Sequence, residues 1–245
     1  YYAEAFDPDR DAVLSALPAA GVGLVLCPGC DLDTSRQSIQ LAEAYPHVYA
    51  AAGVHPEDAL GLPVDWLDQV AEMTRHPKVK AIGEIGLDYY WKEVPRDLQK
   101  EVFRAQLQLA KVLDLPVIVH DREAHADCLA IVREFPGVRG VFHCYSGSAE
   151  DAKTLVKLGW HLSFTGTITF KNARKAPEVI AAVPLERIMV ETDAPYMAPT
   201  PFRGKRCDSR YVYRMAETIA EIKGLTPAEV EQATTENGKA LFAIP

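Results

Sequence analysis

Short runs of Val, Ile and Leu, bounded by turn residues, recur along the whole chain, and longer segments of helical spacing separate them. Runs of this kind read as parallel strands buried on both faces. Seven are predicted: Val22–Cys27, Val48–Val54, Val79–Glu84, Pro116–His120, Val138–His143, Trp160–Thr165 and Arg187–Glu191. Amphipathic helices are predicted between them. In Asp97–Leu113, for example, Leu98, Val102, Phe103, Ala105, Gln106, Leu109 and Ala110 make a largely apolar stripe. No linker, charge block or low-complexity stretch interrupts the pattern, so residues 1–245 are expected to form a single domain. Strand–helix alternation over this length leaves an open doubly wound α/β sheet or a closed (β/α)8 TIM barrel.

The polar residues that end the runs decide between the two. Val79-Lys80-Ala81-Ile82-Gly83 leads into Glu84, Pro116-Val117-Ile118-Val119 into His120, Gly140-Val141-Phe142 into His143, and Ile188-Met189-Val190 into Glu191, Thr192 and Asp193. The carboxyl ends of barrel strands converge on one mouth, where active sites sit, whereas an open sheet spreads most of them apart. No glycine-rich dinucleotide or Walker loop supports the open sheet. A TIM barrel is therefore expected. Seven runs fall one short of the usual eight strands, so the first strand is expected before Tyr1, outside the sequence.

Glu84, His120, His143 and Asp193 are the expected metal ligands. Divalent ions take carboxylate oxygens and imidazole nitrogens at about 2.0–2.2 Å. A bridging carboxylate with two His and an Asp holds a pair of cations incompletely, leaving room for water and a phosphate. Two ions roughly 3.5–4 Å apart stabilise the attacking and leaving oxygens of a displacement. A lone His or carboxylate at a strand end is usually structural, but four at successive ends are hard to explain that way. The ligand types suit Zn2+, Mn2+ or Fe2+ by softness.

The segments Gly83-Glu84-Ile85-Gly86-Leu87-Asp88-Tyr89-Tyr90, His143-Cys144-Tyr145-Ser146-Gly147 and Glu191-Thr192-Asp193-Ala194-Pro195-Tyr196 closely resemble the signatures of the TatD-type metal-dependent deoxyribonucleases. Supporting matches are Gly53-Val54-His55-Pro56, Pro116–His120, Arg203-Gly204-Lys205-Arg206 and Thr235-Glu236-Asn237. The resemblance runs through essentially the whole chain. It implies a barrel of the amidohydrolase superfamily with two divalent ions, Mg2+ supporting the nuclease members. It also implies that Glu84 bridges the ions, that His120 and His143 hold one, and that Asp193 holds the other. The family's His-x-His pair is absent from this sequence, in keeping with the expected strand before Tyr1.

The expected activity is hydrolysis of DNA phosphodiester bonds, exonucleolytic and from single-stranded ends, by a metal-activated water. Glu84 and Asp193 are the expected catalytic residues, Asp193 as ligand, general base or both. Glu191 is expected to orient a ligand His. His55, Arg122, Arg203 and Arg206 are expected to contact substrate phosphate, since guanidinium pairs bidentately with phosphate oxygens. Tyr89, Tyr90 and Trp91 either stack on bases or pack a loop. Aminoacyl-tRNA ester hydrolysis, another ester or amide hydrolysis, and a binding barrel without catalysis are the alternatives.

The net charge of −8 argues against a surface that wraps long nucleic acid, though not against a cleft in which bound cations offset substrate charge. The five cysteines, odd in number and scattered, fit a reducing cytoplasm. The Cys27-Pro28-Gly29-Cys30 spacing lacks the context of a redox pair. No membrane span and no obligate protein partner are expected.

Overall fold

The structure is a computed structural model that describes residues Tyr1–Pro245. The chain falls into two compact units that interleave in sequence, one of Tyr2 and residues 26–143, the other of Tyr1 and residues 3–25 and 144–245.

The unit of residues 26–143 is built on parallel strands. β1 (Val25–Pro28) leads into it, followed by β2 (Val48–Ala52), β3 (Val79–Asp88), β4 (Val117–Arg122) and β5 (Gly140–Phe142). β3 pairs in parallel with β2 on one side and β4 on the other, and β4 pairs with β5. Helices alternate with the strands: α1 (Leu32–Ala44), α2 (Trp66–Met73), α3 (Arg96–Leu113) and α4 (His125–Glu134). β3 is buried along nearly its whole length, which is why its sequence runs apolar without alternation.

β3 also runs four residues beyond its expected end at Glu84, because Ile85 and Leu87 continue the apolar core. Glu84 therefore lies inside the strand rather than at its tip. Pairing with β4 slips between Ile82 and Ile85, so Ile82 aligns with Val117 but Gly86 with His120. An irregularity of this kind re-aims the side chains beside it. At Gly86, with φ +140°, an added Cβ would lie 2.0 Å from the His120 carbonyl oxygen. Only glycine lets β3 run this close to the residue that carries an imidazole.

α3 covers β3, and its buried face comprises Gln99, Val102, Phe103, Gln106, Leu107 and Ala110. The expected stripe is turned slightly: Leu98 and Leu109 are half-buried at its margin, packing on the cluster of Val54, Val70, Val94 and Val102. The two buried amides have identifiable partners. Gln99 Oε1 accepts the Asp88 N–H at 2.9 Å, and its Nε2 donates to the Asp88 and Val94 carbonyls. One helical face further along, Gln106 Oε1 accepts the Val54 N–H at 2.8 Å, and Nε2 donates to the Val54 carbonyl at 3.0 Å. One helix thus fastens the chain at Asp88 and beside His55.

The other unit contains α5 (Arg10–Ala16) near its start, then α6 (Ala149–Lys157), β6 (His161–Phe164), α7 (Lys175–Ala182), β7 (Ile188–Val190), α8 (Tyr213–Lys223) and α9 (Pro227–Phe242). β6 and β7 are parallel, with Leu162 opposite Ile188 and Phe164 opposite Val190. Trp160, Phe164, Ile180, Ile188, Met215 and Ile219 are buried. Asn237 donates to the carbonyls of Leu185 and Ile188, which fixes the entry to β7. A capping box of Thr226 and Glu229 starts α9, and Asp31 with Thr34 does the same for α1. No helix is long and apolar enough to cross a membrane.

Candidate metal centre

Three imidazoles of residues 26–143 point at one oxygen. Glu84 Oε1 lies 2.8 Å from His120 Nδ1, 2.9 Å from His143 Nε2 and 3.5 Å from His55 Nε2. His120 Nδ1 is also 3.3 Å from His143 Nε2. Glu84, His55 and His143 are buried and His120 is nearly so. The backbone at Glu84, His55 and His143 is pinned by a neighbouring strand or loop. The Glu84 N–H donates to the Gly29 carbonyl, His55 N–H to Cys30, and His143 N–H to Val119. The Cys27–Cys30 segment therefore serves as a backbone anchor, and both thiols are free.

Asp88 completes this arrangement and is the residue that sequence reasoning missed. It is fully buried, and its Oδ2 lies 2.9 Å from His120 Nε2. Its Oδ1 accepts the N–H groups of Tyr90 and Trp91. A signal was present: Asp88 stands four residues after Glu84, so an ideal strand would put both on one face.

Charge follows from this geometry. Burial alone would raise the Glu84 pKa, but the charge of His143 and hydrogen bonds from His120 and His143 outweigh it and hold the carboxyl well below its usual range. Burial works against the His120 imidazolium, yet hydrogen bonds to Asp88 and Glu84 prevail and raise its pKa. His55 goes the other way. Burial, only partly opposed by Glu84, lowers it to about 4. Its Nδ1 accepts the Glu57 N–H at 3.2 Å, so a neutral His55 carries its proton on Nε2, facing Glu84.

These residues suit a cation. Nitrogen and oxygen atoms of His55, Glu84 and His120 lie within 4.8 Å of one another, and the donor set mixes imidazole with carboxylate. Asp88 behind His120 is the outer carboxylate that metal-binding imidazoles commonly carry.

Glu191 and Asp193 follow β7 in the other unit. Glu191 Oε1 accepts the Cys144 N–H at 2.5 Å, so this carboxylate holds the residue that follows His143 in the chain. Asp193 is half-buried, three residues beyond the end of β7, and its carbonyl accepts the Tyr196 N–H. Arg203 is exposed, its guanidinium 4.1 Å above the Phe170 ring. Arg206, expected from sequence to grip phosphate, is instead engaged within its unit. It pairs with both oxygens of Asp9 at 2.7 Å and donates to the Ala5 carbonyl.

Fold and site together describe a metal-dependent hydrolase of the α/β TIM-barrel class. A model of the family described as TatD related DNase matches residues 1–243, and the chain belongs to that family. It is 44% identical over 244 residues to the uncharacterized metal-dependent hydrolase YabD of Bacillus subtilis, covering 99% of this chain and 96% of the relative. It is 33% identical over 248 residues to the 3'-5' ssDNA/RNA exonuclease TatD of Citrobacter rodentium, covering 98% and 94%. Among solved structures, the TatD homolog YjjV of Escherichia coli superposes with a TM-score of 0.92 at 34% identity, covering 99% of this chain and 95% of that one.

Proposed function

We propose that this enzyme hydrolyses phosphodiester bonds at single-stranded ends of DNA, and that it uses two divalent cations. The observation that carries the reading is the convergence of three imidazoles on one oxygen of a buried, ionised glutamate. A non-catalytic barrel has no use for so concentrated a donor set, since burying a carboxylate is costly unless something compensates it. The Citrobacter relative named as an ssDNA/RNA exonuclease supports the substrate class and extends it to RNA.

Glu84, His120, His143 and Asp193 are the residues that would hold the cations. Cations bound there supply Lewis acidity toward a phosphate and acidify water beside it. His55, neutral and with its proton on Nε2, donates to a phosphate oxygen, while Asp193 takes the proton of the attacking water and returns it to the leaving alkoxide. Glu191 fixes the chain beside His143 through the Cys144 N–H. Asp88 fixes the ring of His120. Mixed nitrogen and oxygen donors admit Mg2+, Mn2+ or Zn2+. The five cysteines, odd in number and scattered through the chain, suit a cytoplasmic enzyme.

The test compares a single-stranded oligodeoxynucleotide, an oligoribonucleotide and an aminoacyl ester as substrates, each with and without chelator. Chelator-sensitive release of mononucleotides is expected, and it should vanish in His120→Ala and Asp193→Asn variants that keep the wild-type circular dichroism spectrum. Turnover of the ester alone refutes the nuclease reading. Oligonucleotide cleavage at the wild-type rate by either variant refutes the role given to that residue.

A further inference from the structure

Beyond Asp88 the chain turns through three aromatic residues, and they have different fates. Tyr89 is buried, its hydroxyl donates to Asp127 at 2.5 Å, and Arg96 covers its ring. It is packing. Tyr90 and Trp91 instead remain 47% and 45% exposed, their rings edge to face with centroids 4.9 Å apart. Arg122, whose Cα pairs with that of Asp88 across the β3–β4 ladder, lays its guanidinium 3.9 Å over the Tyr90 ring and 6.0 Å from the Trp91 centroid.

This cluster is tied to the cation site by one buried carboxylate. Asp88 Oδ1 accepts the Tyr90 and Trp91 N–H groups at 2.9 and 3.2 Å, and Asp88 Oδ2 meets His120. Arg122 and His120 also stand two residues apart on β4, hence on one face of an ideal strand. Trp91 also borders a cavity of about 250 Å³, whose wall includes Glu57, Glu93 and Val94.

Large aromatic rings are usually buried for their apolar area, so two left half-exposed beside a reaction centre call for a partner. A flat ring next to an arginine matches a nucleotide: the base lies on the ring, and the guanidinium edge meets phosphate. Charge orders the two halves. Glu57 and Glu93 disfavour phosphate within the cavity, and Arg122, over the Tyr90 ring, supplies the positive charge that attracts it.

We propose that Tyr90, Trp91 and Arg122 form a nucleobase-stacking site that docks an unpaired nucleotide of the substrate strand beside the hydrolytic centre. The base lies against Trp91 on the cavity side, and its phosphodiester lies against Arg122. A base in a duplex is already stacked and must be extruded at a cost, so the site favours single strands. This inference rests on the reading of the enzyme as a nuclease, and it deepens that reading by naming where a base is held.

The experiment has two arms. In chelator, the tryptophan fluorescence of the full chain is titrated with an oligothymidylate of about eight nucleotides. Trp160 is buried and Trp66 half-buried, so Trp91 is the tryptophan most open to stacking. Quenching is expected in the wild type; because W91A and W91F remove the reporting indole, their binding is read from the anisotropy of the same oligothymidylate carrying a fluorescein, with affinity lost in W91A and mostly kept in W91F. In the metal-loaded enzyme, W91A should raise KM for the oligonucleotide about tenfold more than KM for the base-free diester bis(p-nitrophenyl) phosphate. Quenching without hydrolysis supports the site while sinking the nuclease reading. Hydrolysis by W91A with wild-type KM, or no quenching at concentrations that saturate hydrolysis, overturns the site and leaves the nuclease reading standing.

Discussion

Replacing Gln106 with leucine isolates what one helix contributes to the centre. Leucine nearly matches glutamine in volume, so the change removes hydrogen bonds without opening a large cavity. Gln106 is fully buried and Val54 is 1% exposed, so no water stands ready to replace the lost amide. The Val54 N–H loses its acceptor at 2.8 Å and the Val54 carbonyl its donor at 3.0 Å. Each buried backbone group left without a partner costs about 1–3 kcal/mol, which makes the expected destabilisation about 3 kcal/mol. In a chain of this size 1 kcal/mol lowers the thermal midpoint by roughly 2–4 °C, so the midpoint should fall by roughly 6–12 °C. Calorimetry in chelator is the suitable assay, since cations bound to the folded state would add stability of their own. Because Val54 adjoins His55, the variant should also show faster amide exchange from residue 54 to 57 than in α9. A midpoint within about 1 °C of wild type would show that the backbone finds other partners and that the Gln106 clamp is dispensable.

Further outcomes follow from the structure. Asp88→Asn keeps the shape but removes the charge behind His120, and it should weaken cation affinity about 10–100-fold by calorimetric titration; unchanged affinity would leave Asp88 no part in holding the ring. Because Asp88 and Glu84 raise the His120 pKa, part of the cation-free protein carries a proton there that a cation must displace. Affinity should therefore fall as pH drops through that raised pKa, with proton release visible as heat that depends on the buffer; binding that is flat from about pH 8 to 6 contradicts the assignment. Arg206→Ala should leave oligonucleotide KM unchanged, while Arg203→Ala should raise it several-fold. The Arg206 hydrogen bond and charge hold the Asp9 pKa below normal, so the pair stabilises the fold above the normal carboxylate range of about pH 4 and loses that effect as pH falls below it, through the lowered Asp9 pKa. A thermal midpoint for Arg206→Ala equal to wild type at pH 7 would show that the pair adds nothing.

The strands were legible because strands buried on both faces must be written in continuous apolar residues, and seven such runs correspond to β1–β7. Their ends were less so. A polar residue after an apolar run looks like a strand end, and Glu84 has that look. The strand passes straight through it, because the three imidazole partners that compensate the carboxylate come from other segments. Val138 sits before β5 for the converse reason: it is buried, but the ladder begins only at Gly140. Glu84, His120 and His143 were legible as a group because their types are rare in a core and their spacing repeats with the strands.

What escaped the sequence is the set of residues that hold the candidate ligands in place. Asp88 was hidden by the early end given to β3, and Gln99 by its place on a helix face whose apolar members dominate the pattern. Gln106 was counted as part of that face, although its amide is turned entirely to backbone groups. Periodicity reports which side of an element is buried. It says nothing of whether a buried polar atom there is matched to a carbonyl, an N–H or a ring nitrogen, because that match depends on a segment distant in the chain. A barrel mouth makes such matches unavoidable: loops leave the strands with unpaired backbone groups, and the covering helix must supply their partners. Candidate ligands are thus readable from residue type and position, whereas their supports are set by backbone geometry that appears only when β3, its exit turn and α3 are in place together.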